Sequence, residues 1–288
     1  MTKTIVDLEA HIKDSQNIIW TFGGKRVQDW QKERVVERTF HSAEDLCVSK
    51  GIKLSILNIT NFDDRRAEFF RKISRVYWEC HDLHEDERMF RISDKERSAY
   101  FLAGQEIASD VGHITLVGLP FDYYLDTSQR KNLDPEKILS EAEEQGAIVM
   151  IEYGKAGILE KVFGSLFNSV ANKQSARMSA NKEFLDTNVG RIDVIKSDLT
   201  YRNIPVIAVS DSHTPDEANG PFSSYAVFEN IDFSNGESVV ASLKSGISSN
   251  NYENHFGRKS LSENLRHAGI VLGCALSMES GLMKRDYS

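Results

Sequence analysis

Cysteine is scarce in this 288-residue chain, and the few copies do not form a recognisable framework. Cys47, Cys80 and Cys274 are far apart and odd in number, and no C-x-x-C motif is present. Small secreted domains held by disulfides carry dense, paired cysteines, whereas proteins of reducing compartments do not. The cysteine content therefore predicts a protein of a reducing compartment without structural disulfides.

Long hydrophobic runs are also missing. The amino-terminal stretch MTKTIVDLEAHIKD has no apolar core of the length found in signal peptides. The longest late apolar stretch, AGIVLGCALSM at 268–278, is too short to cross a bilayer. These two absences predict a cytoplasmic protein that does not associate with membranes.

Basic residues are outnumbered by acidic ones. Lysine and arginine total 35, aspartate and glutamate total 43, and the formal net charge is −8. Since most nonspecific affinity for nucleic acid comes from neutralising phosphates, an acidic chain is a poor general binder of nucleic acid. A local basic patch or a basic partner is compatible with this composition, so a nucleic-acid substrate stays open.

The chain does contain short apolar runs that alternate with helical patterns, without a repeat or a Pro/Gly-rich linker. The predicted strands are 4–8, 52–59, 100–107, 113–119, 147–152 and 204–209. The predicted helices are 42–50 with Ser42 as its cap, 135–146 and 236–246, and helical periodicity dominates 156–203. Such alternation is typical of a parallel sheet covered on both faces, either doubly wound or closed into a barrel. Ligands of both folds bind at the carboxyl ends of the strands.

Carboxylates and histidines occur at the ends of several predicted strands. The run VIAVSDSHTP places Asp211 and His213 two residues apart after the strand at 204–209. Comparable positions on other strands hold Asp7, Glu9, His11, Glu106, His113, Glu152 and Tyr153. Carboxylate oxygens and imidazole nitrogens together suit Zn²⁺, Mn²⁺ and Fe²⁺. Any one of these residues alone is more commonly a cap or loop residue, so the prediction of a metal site depends on their joint occurrence.

Five segments stand in order along the chain: VDLEAHIKDS, GIKLSILNITNFDD, LAGQEIASDVGHITLVGL, AEEQGAIVMIEYG and VSDSHTPDEANG. Their order and spacing resemble those of the PHP (polymerase and histidinol phosphatase) superfamily of metal-dependent phosphoesterases. The resemblance extends over roughly residues 5 to 246. It implies a distorted (β/α)₇ TIM-like barrel of the PHP type, with up to three metals at the carboxyl rim.

The resemblance also implies a ligand set. His11, Glu106, His113, Asp211 and His213 match family ligand positions, and Glu106 matches the glutamate that bridges two metals.

Several positions depart from the family pattern. Glu9 replaces a histidine, Phe62 replaces another, and a third falls on Tyr153, or on Glu152 if the register slips by one. The predicted ligands are therefore Glu9, His11, Glu106, His113, Tyr153, Asp211 and His213. They are expected to hold one or two ions of Mn, Zn or Fe, while Phe62 excludes a third.

Two functions follow from the resemblance. The first is a phosphoesterase that hydrolyses a phosphomonoester, a nucleotide or a nucleic-acid end through a metal-bound hydroxide, with His113, His213 and Asp211 as catalytic residues. The second is a catalytically impaired pseudoenzyme that serves as a binding or scaffold subunit, because several family ligands are changed.

The resemblance divides the chain into a PHP-like barrel at 1–250 and a C-terminal helical extension at 251–288. The apolar, helix-compatible segment at 261–283 is expected to pack on its own domain or to contact a second copy or a partner protein.

Overall fold

The structure of the chain is a computed structural model. It describes residues 1–11, 29–61, 84–93, 96–109, 112–125, 133–152, 176–180, 205–210 and 221–257, with the single positions 67, 70, 71, 74 and 212.

Eleven strands and three helices are defined within these residues. The strands are β1 Lys3–Ala10, β2 Leu54–Asn61, β3 His84–Glu85, β4 Met89–Ser93, β5 Ser98–Ser109, β6 Gly112–Leu119, β7 Ile148–Glu152, β8 Ala176–Ala180, β9 Val206–Ala208, β10 Tyr225–Glu229 and β11 Tyr252–His255. The helices are α1 Asp29–Lys50, α2 Pro135–Glu144 and α3 Gly236–Ser248.

The predicted strands each coincide with an observed strand, and the helices predicted at 135–146 and 236–246 coincide with α2 and α3. Helix α1 begins at Asp29, so Ser42 lies inside the helix and does not cap it. Strand β8 lies within 156–203, where helical periodicity predicts helix. It pairs with β7 and β9, and such tertiary pairing overrides a local helical preference.

All eleven strands join one mixed sheet. Its order is β11-β10-β1-β2-β5-β6-β7-β8-β9, and the β3–β4 hairpin adds to β5 through β4. The pairs β1–β2 and β2–β5 are parallel. The remaining pairs among the described strands are antiparallel.

The predicted (β/α)₇ TIM-like barrel is wrong, because the sheet is a mixed half-barrel accompanied in the described residues by three helices. Strands β5 and β6 are separated only by residues 110–111, and so short a connection can join only antiparallel strands. Strands β6 and β7 are also antiparallel, although α2 lies between them. Continuous apolar runs indicate burial on both faces and do not by themselves fix strand direction.

The sheet curls so that its two edge strands, β9 and β11, are joined by side-chain hydrogen bonds. Asn254 of β11 accepts a hydrogen bond from Ala208 N (2.8 Å) and donates one to Val206 O (2.7 Å), both in β9. We call the inner side of this curl the concave face and the other side the outer face.

Apolar clusters fill both faces. The concave face packs against α3 through Val6, Leu8, Ile56, Leu102, Val117, Met150, Ile207, Val239 and Leu243. On the outer face, one cluster surrounds Phe40, Ala43 and Cys47 of α1, and another surrounds Ile138, Leu139 and Ala142 of α2. Glu9, His11 and Glu106 lie on the same concave face and are not part of its apolar cluster.

Strand β11 pairs with β10, so the sheet continues past residue 250, where the sequence predicts the barrel domain to end. Residues 258–288, which make up most of the predicted C-terminal extension, lie outside the described residues. Among the described segments, no helix combines the length and the apolar character that a membrane span requires.

Candidate metal centre

A bulge in β1 turns Glu9 and His11 toward the concave face. Leu8 lies on that face, so regular alternation would turn Glu9 outward. The register with β2 shifts between Asp7 and Ala10, and Ala10 packs in the outer cluster. Glu9 and His11, the two neighbours of Ala10, therefore face the concave side. Bulges commonly re-aim side chains in this way beside functional sites.

The β5–β6 hairpin supplies the other half of the cluster. Ile107 packs in the outer cluster, so Glu106 faces the concave side. Glu106 lies opposite Thr115, and Ala108 lies opposite His113, in the antiparallel register. Because opposite residues share a face, Thr115 and His113 also lie on the concave side.

Glu106 joins two histidines through its two carboxylate oxygens. Its Oε2 lies 3.0 Å from His11 Nε2, and its Oε1 lies 2.6 Å from His113 Nδ1. His11 Nε2 also lies 3.6 Å from Glu9 Oε1. Glu9, His11 and Glu106 are buried, whereas the His113 side chain is 34% exposed. The cluster thus extends from a buried interior to a partly exposed imidazole.

The group formed by Glu9, His11 and Glu106 could hold a metal ion. One ligand atom from each residue lies within 4.8 Å of the other two. Donors about 2.1 Å from a shared ion are separated by roughly 3.0–3.4 Å, depending on the coordination geometry. The separations of 3.0 and 3.6 Å around His11 Nε2 are close to this range. Two carboxylates and one imidazole are also ligands that divalent transition metals accept.

The electrostatics of Glu106 favour its charged form. Burial acts to raise the pKa of Glu106, but the neighbouring His113 and His11 outweigh burial and hold that pKa well below its usual range. Glu106 is therefore a charged carboxylate, the form that binds a cation.

The buried carboxylate of Asp7 connects three parts of the chain close to Glu9. Its carboxylate accepts hydrogen bonds from the backbone N–H groups of Glu9 (3.3 Å), Ser210 (2.9 Å) and Phe222 (2.8 Å). Burial raises the pKa of Asp7 to about 6, against the opposing effect of these hydrogen bonds. Asp7 thereby fixes the bulge that carries Glu9 to the segment after β9.

The segment after β9 runs beside the bulge. Ser210 Oγ donates to Glu9 O at 3.2 Å, and Ser212 forms a parallel bridge with Ala10. Ser210 and Ser212 therefore lie beside Glu9 and Ala10 of β1.

The structure brings together four of the predicted ligands: Glu9, His11, Glu106 and His113. The other three, Tyr153, Asp211 and His213, lie outside the described residues, as does Phe62. The backbone of Glu152 is described as the last residue of β7, but its side chain is not.

Thr115 also belongs to the site, although it is not among the residues predicted from the sequence. Thr115 Oγ1 donates a hydrogen bond to Glu9 Oε1 at 3.1 Å, and both side chains are buried. The signal for this residue was the period of two along a strand, which places Thr115 on the same face as His113. The hydrogen bond makes Thr115 a positioning residue for Glu9.

Replacing Thr115 with valine is expected to weaken metal binding about tenfold, since residues that orient metal ligands typically contribute 10–100-fold to affinity. Valine keeps the shape of threonine but cannot donate to Glu9. Titration of the metal-free protein with Mn²⁺ measures the change. Thr115→Ser, which restores the donor, should recover most of the affinity, and equal losses in both variants would show that packing is responsible.

Comparisons with protein-family models, with curated proteins and with solved structures each find no match to this chain.

Proposed function

We propose that the chain is a metal-dependent phosphoesterase that hydrolyses a phosphomonoester, with a nucleotide or a nucleic-acid end as the wider substrate class. The observation that carries this proposal is the buried group of Glu9, His11 and Glu106. The resemblance of the five sequence segments to the PHP superfamily supplies the reaction class.

In this proposal Glu9 Oε1, His11 Nε2 and Glu106 Oε2 hold one divalent cation of Mn, Zn or Fe. A bound cation would neutralise charge on a phosphoryl group and lower the pKa of a bound water. Thr115 orients Glu9 through its hydrogen bond. A bound cation would take the place of the histidine charges that hold the pKa of Glu106 down, because a histidine ligand must be neutral.

In this proposal the other carboxylate oxygen of Glu106, Oε1, serves either a second ion or a residue that transfers protons. Its Oε1 faces His113, whose side chain is one-third exposed. With Nδ1 held by Glu106, His113 presents Nε2 as the atom that would exchange a proton with the leaving group. We further propose that Asp211, His213 and Tyr153 complete the ligand set.

The test is hydrolysis of p-nitrophenyl phosphate by the full chain, first stripped of metal by a chelator and then supplied with Mn²⁺. Hydrolysis should be absent from the stripped protein and restored by the ion. His11→Ala should abolish the restored activity, whereas His41→Ala, an exposed histidine on α1, should retain it. Tight metal binding without hydrolysis of any phosphoester would reject the enzyme and favour the binding or scaffold subunit.

A further inference from the structure

A cavity of about 510 Å³ lies on the outer face, away from the metal centre. Its walls come from the start of β1, the turn after α1 and the outward-facing residues of β10 and β11. We call this cavity the basic pocket, because lysines predominate among its charged lining residues.

The turn after α1 is fixed by its backbone. Gly51 adopts a φ of 64°, a conformation that favours glycine. Its N–H donates to Val48 O at 3.1 Å, and Ile52 N–H donates to Cys47 O at 2.9 Å. Beyond this turn, Lys53 O accepts a hydrogen bond from Ser98 N at 3.1 Å. The backbone that carries two of the pocket lysines is therefore held in place by the sheet and the helix.

The charge of the basic pocket is opposite to that of the whole chain. Lys3, Lys50 and Lys53 line it, whereas the chain as a whole carries a formal net charge of −8. The lining carboxylate, Glu253, lies 3.3 Å from His255 Nε2. Within the part of the chain that the structure describes, none of the three lysines forms an ion pair. Their positive charges are therefore available to an anion.

One wall of the pocket is a pair of stacked rings. The Tyr225 and His255 rings have centroids 4.8 Å apart and planes 18° apart. Tyr225 is buried, while the His255 side chain is 33% exposed and lies against it. An exposed ring that is backed by a buried one offers a flat, supported surface for another aromatic ring.

We propose that the basic pocket binds a nucleotide, with its phosphates at Lys3, Lys50 and Lys53 and its base against the ring of His255. The cavity volume falls in the range of small-ligand sites, about 300–1,000 Å³. Lysine ammonium groups and an aromatic wall together match the two chemically distinct parts of a nucleotide. A phosphate alone would leave the aromatic wall without a partner, and a base alone would leave the lysines without one.

The basic pocket is separate from the metal centre. It lies on the outer face, whereas Glu9 faces the concave side. Lys3 and Glu9 are six residues apart on β1, which at strand spacing corresponds to roughly 20 Å. Binding at the pocket can therefore be measured without a metal ion, and its outcome does not depend on the proposed phosphoesterase activity.

The experiment is calorimetric titration of the full chain with ADP in the presence of excess EDTA. The wild type should bind ADP, and the double variant Lys50→Gln/Lys53→Gln should bind about tenfold more weakly, at about threefold for each exposed charge. The control Lys137→Gln, an exposed lysine on α2 outside the pocket, should bind as the wild type does. Exposed lysines tolerate glutamine, so the variants should remain folded.

Further titrations test the phosphate and the base of the nucleotide separately. Pyrophosphate and adenosine should each bind more weakly than ADP, and His255→Ala should reduce the affinity for ADP but not for pyrophosphate. The proposal is overturned if wild type does not bind ADP, if the double lysine variant binds ADP unchanged, or if pyrophosphate binds as tightly as ADP. It is also overturned if Glu9→Gln, at the metal centre, removes ADP binding while the lysine variants do not.

Discussion

Replacing Glu106 with glutamine is expected to weaken divalent metal binding by about 100-fold or more, because even outer groups that orient metal ligands contribute 10–100-fold. Glu106 provides the carboxylate that faces both His11 Nε2 and His113 Nδ1. Glutamine keeps the size of the side chain but removes its negative charge. Titration of chelator-stripped protein with Mn²⁺, followed by the signal of the free ion, measures the loss.

The matched control for this variant is Glu144→Gln, since Glu144 is an exposed carboxylate on α2. It should bind Mn²⁺ as the wild type does. If Glu106→Gln bound Mn²⁺ with unchanged affinity while remaining folded, Glu106 would not be a ligand and the assignment of Glu9, His11 and Glu106 as a metal site would be wrong.

Replacing Asp7 with alanine is expected to lower the free energy of unfolding by about 4 kcal/mol, since each buried donor left without a partner costs about 1–3 kcal/mol. The change removes the acceptor of three backbone N–H groups, those of Glu9, Ser210 and Phe222. The apolar area lost with the side chain is small, so the three unpaired N–H groups account for most of the expected decrease in the free energy of unfolding. Urea unfolding followed by circular dichroism measures the effect.

Two further variants test the cause of this loss. Asp7→Asn keeps one carbonyl oxygen as an acceptor and should lose less stability than Asp7→Ala. Asp45→Ala, at an exposed position of α1, should change the free energy of unfolding by less than about 0.5 kcal/mol. Equal stability of Asp7→Ala and the wild type would contradict the role of Asp7 as a link between β1 and the segment after β9.

The positions of the strands could be predicted from the sequence, but their directions could not be predicted from apolar patterning alone. Runs such as 113–119 and 147–152 are buried on both faces and became β6 and β7. Burial on both faces also occurs here in antiparallel pairs, because helices α1, α2 and α3 cover the sheet. The short gap between the runs predicted at 100–107 and 113–119, which the structure narrows to residues 110–111, was the local signal for an antiparallel pair, and it outweighs the general pattern.

Part of the candidate site could be predicted because its residues follow a strand pattern. Glu9 and His11, and likewise His113 and Thr115, are pairs two residues apart, which share a face of a strand. The bulge that turns Glu9 inward arises from pairing with β2 and leaves no clear mark in the sequence. The contacts of Asp7 with Ser210 and Phe222 span 203 and 215 residues, so no local pattern could indicate them.

The most direct test of the metal centre is elemental analysis of the full chain purified without a metal-affinity tag, before and after reconstitution with Mn²⁺. The wild type and the His41→Ala control should contain one or two equivalents of Mn, Zn or Fe, and His11→Ala should contain much less. No bound metal in the wild type after reconstitution would contradict the assignment of Glu9, His11 and Glu106 as a metal site.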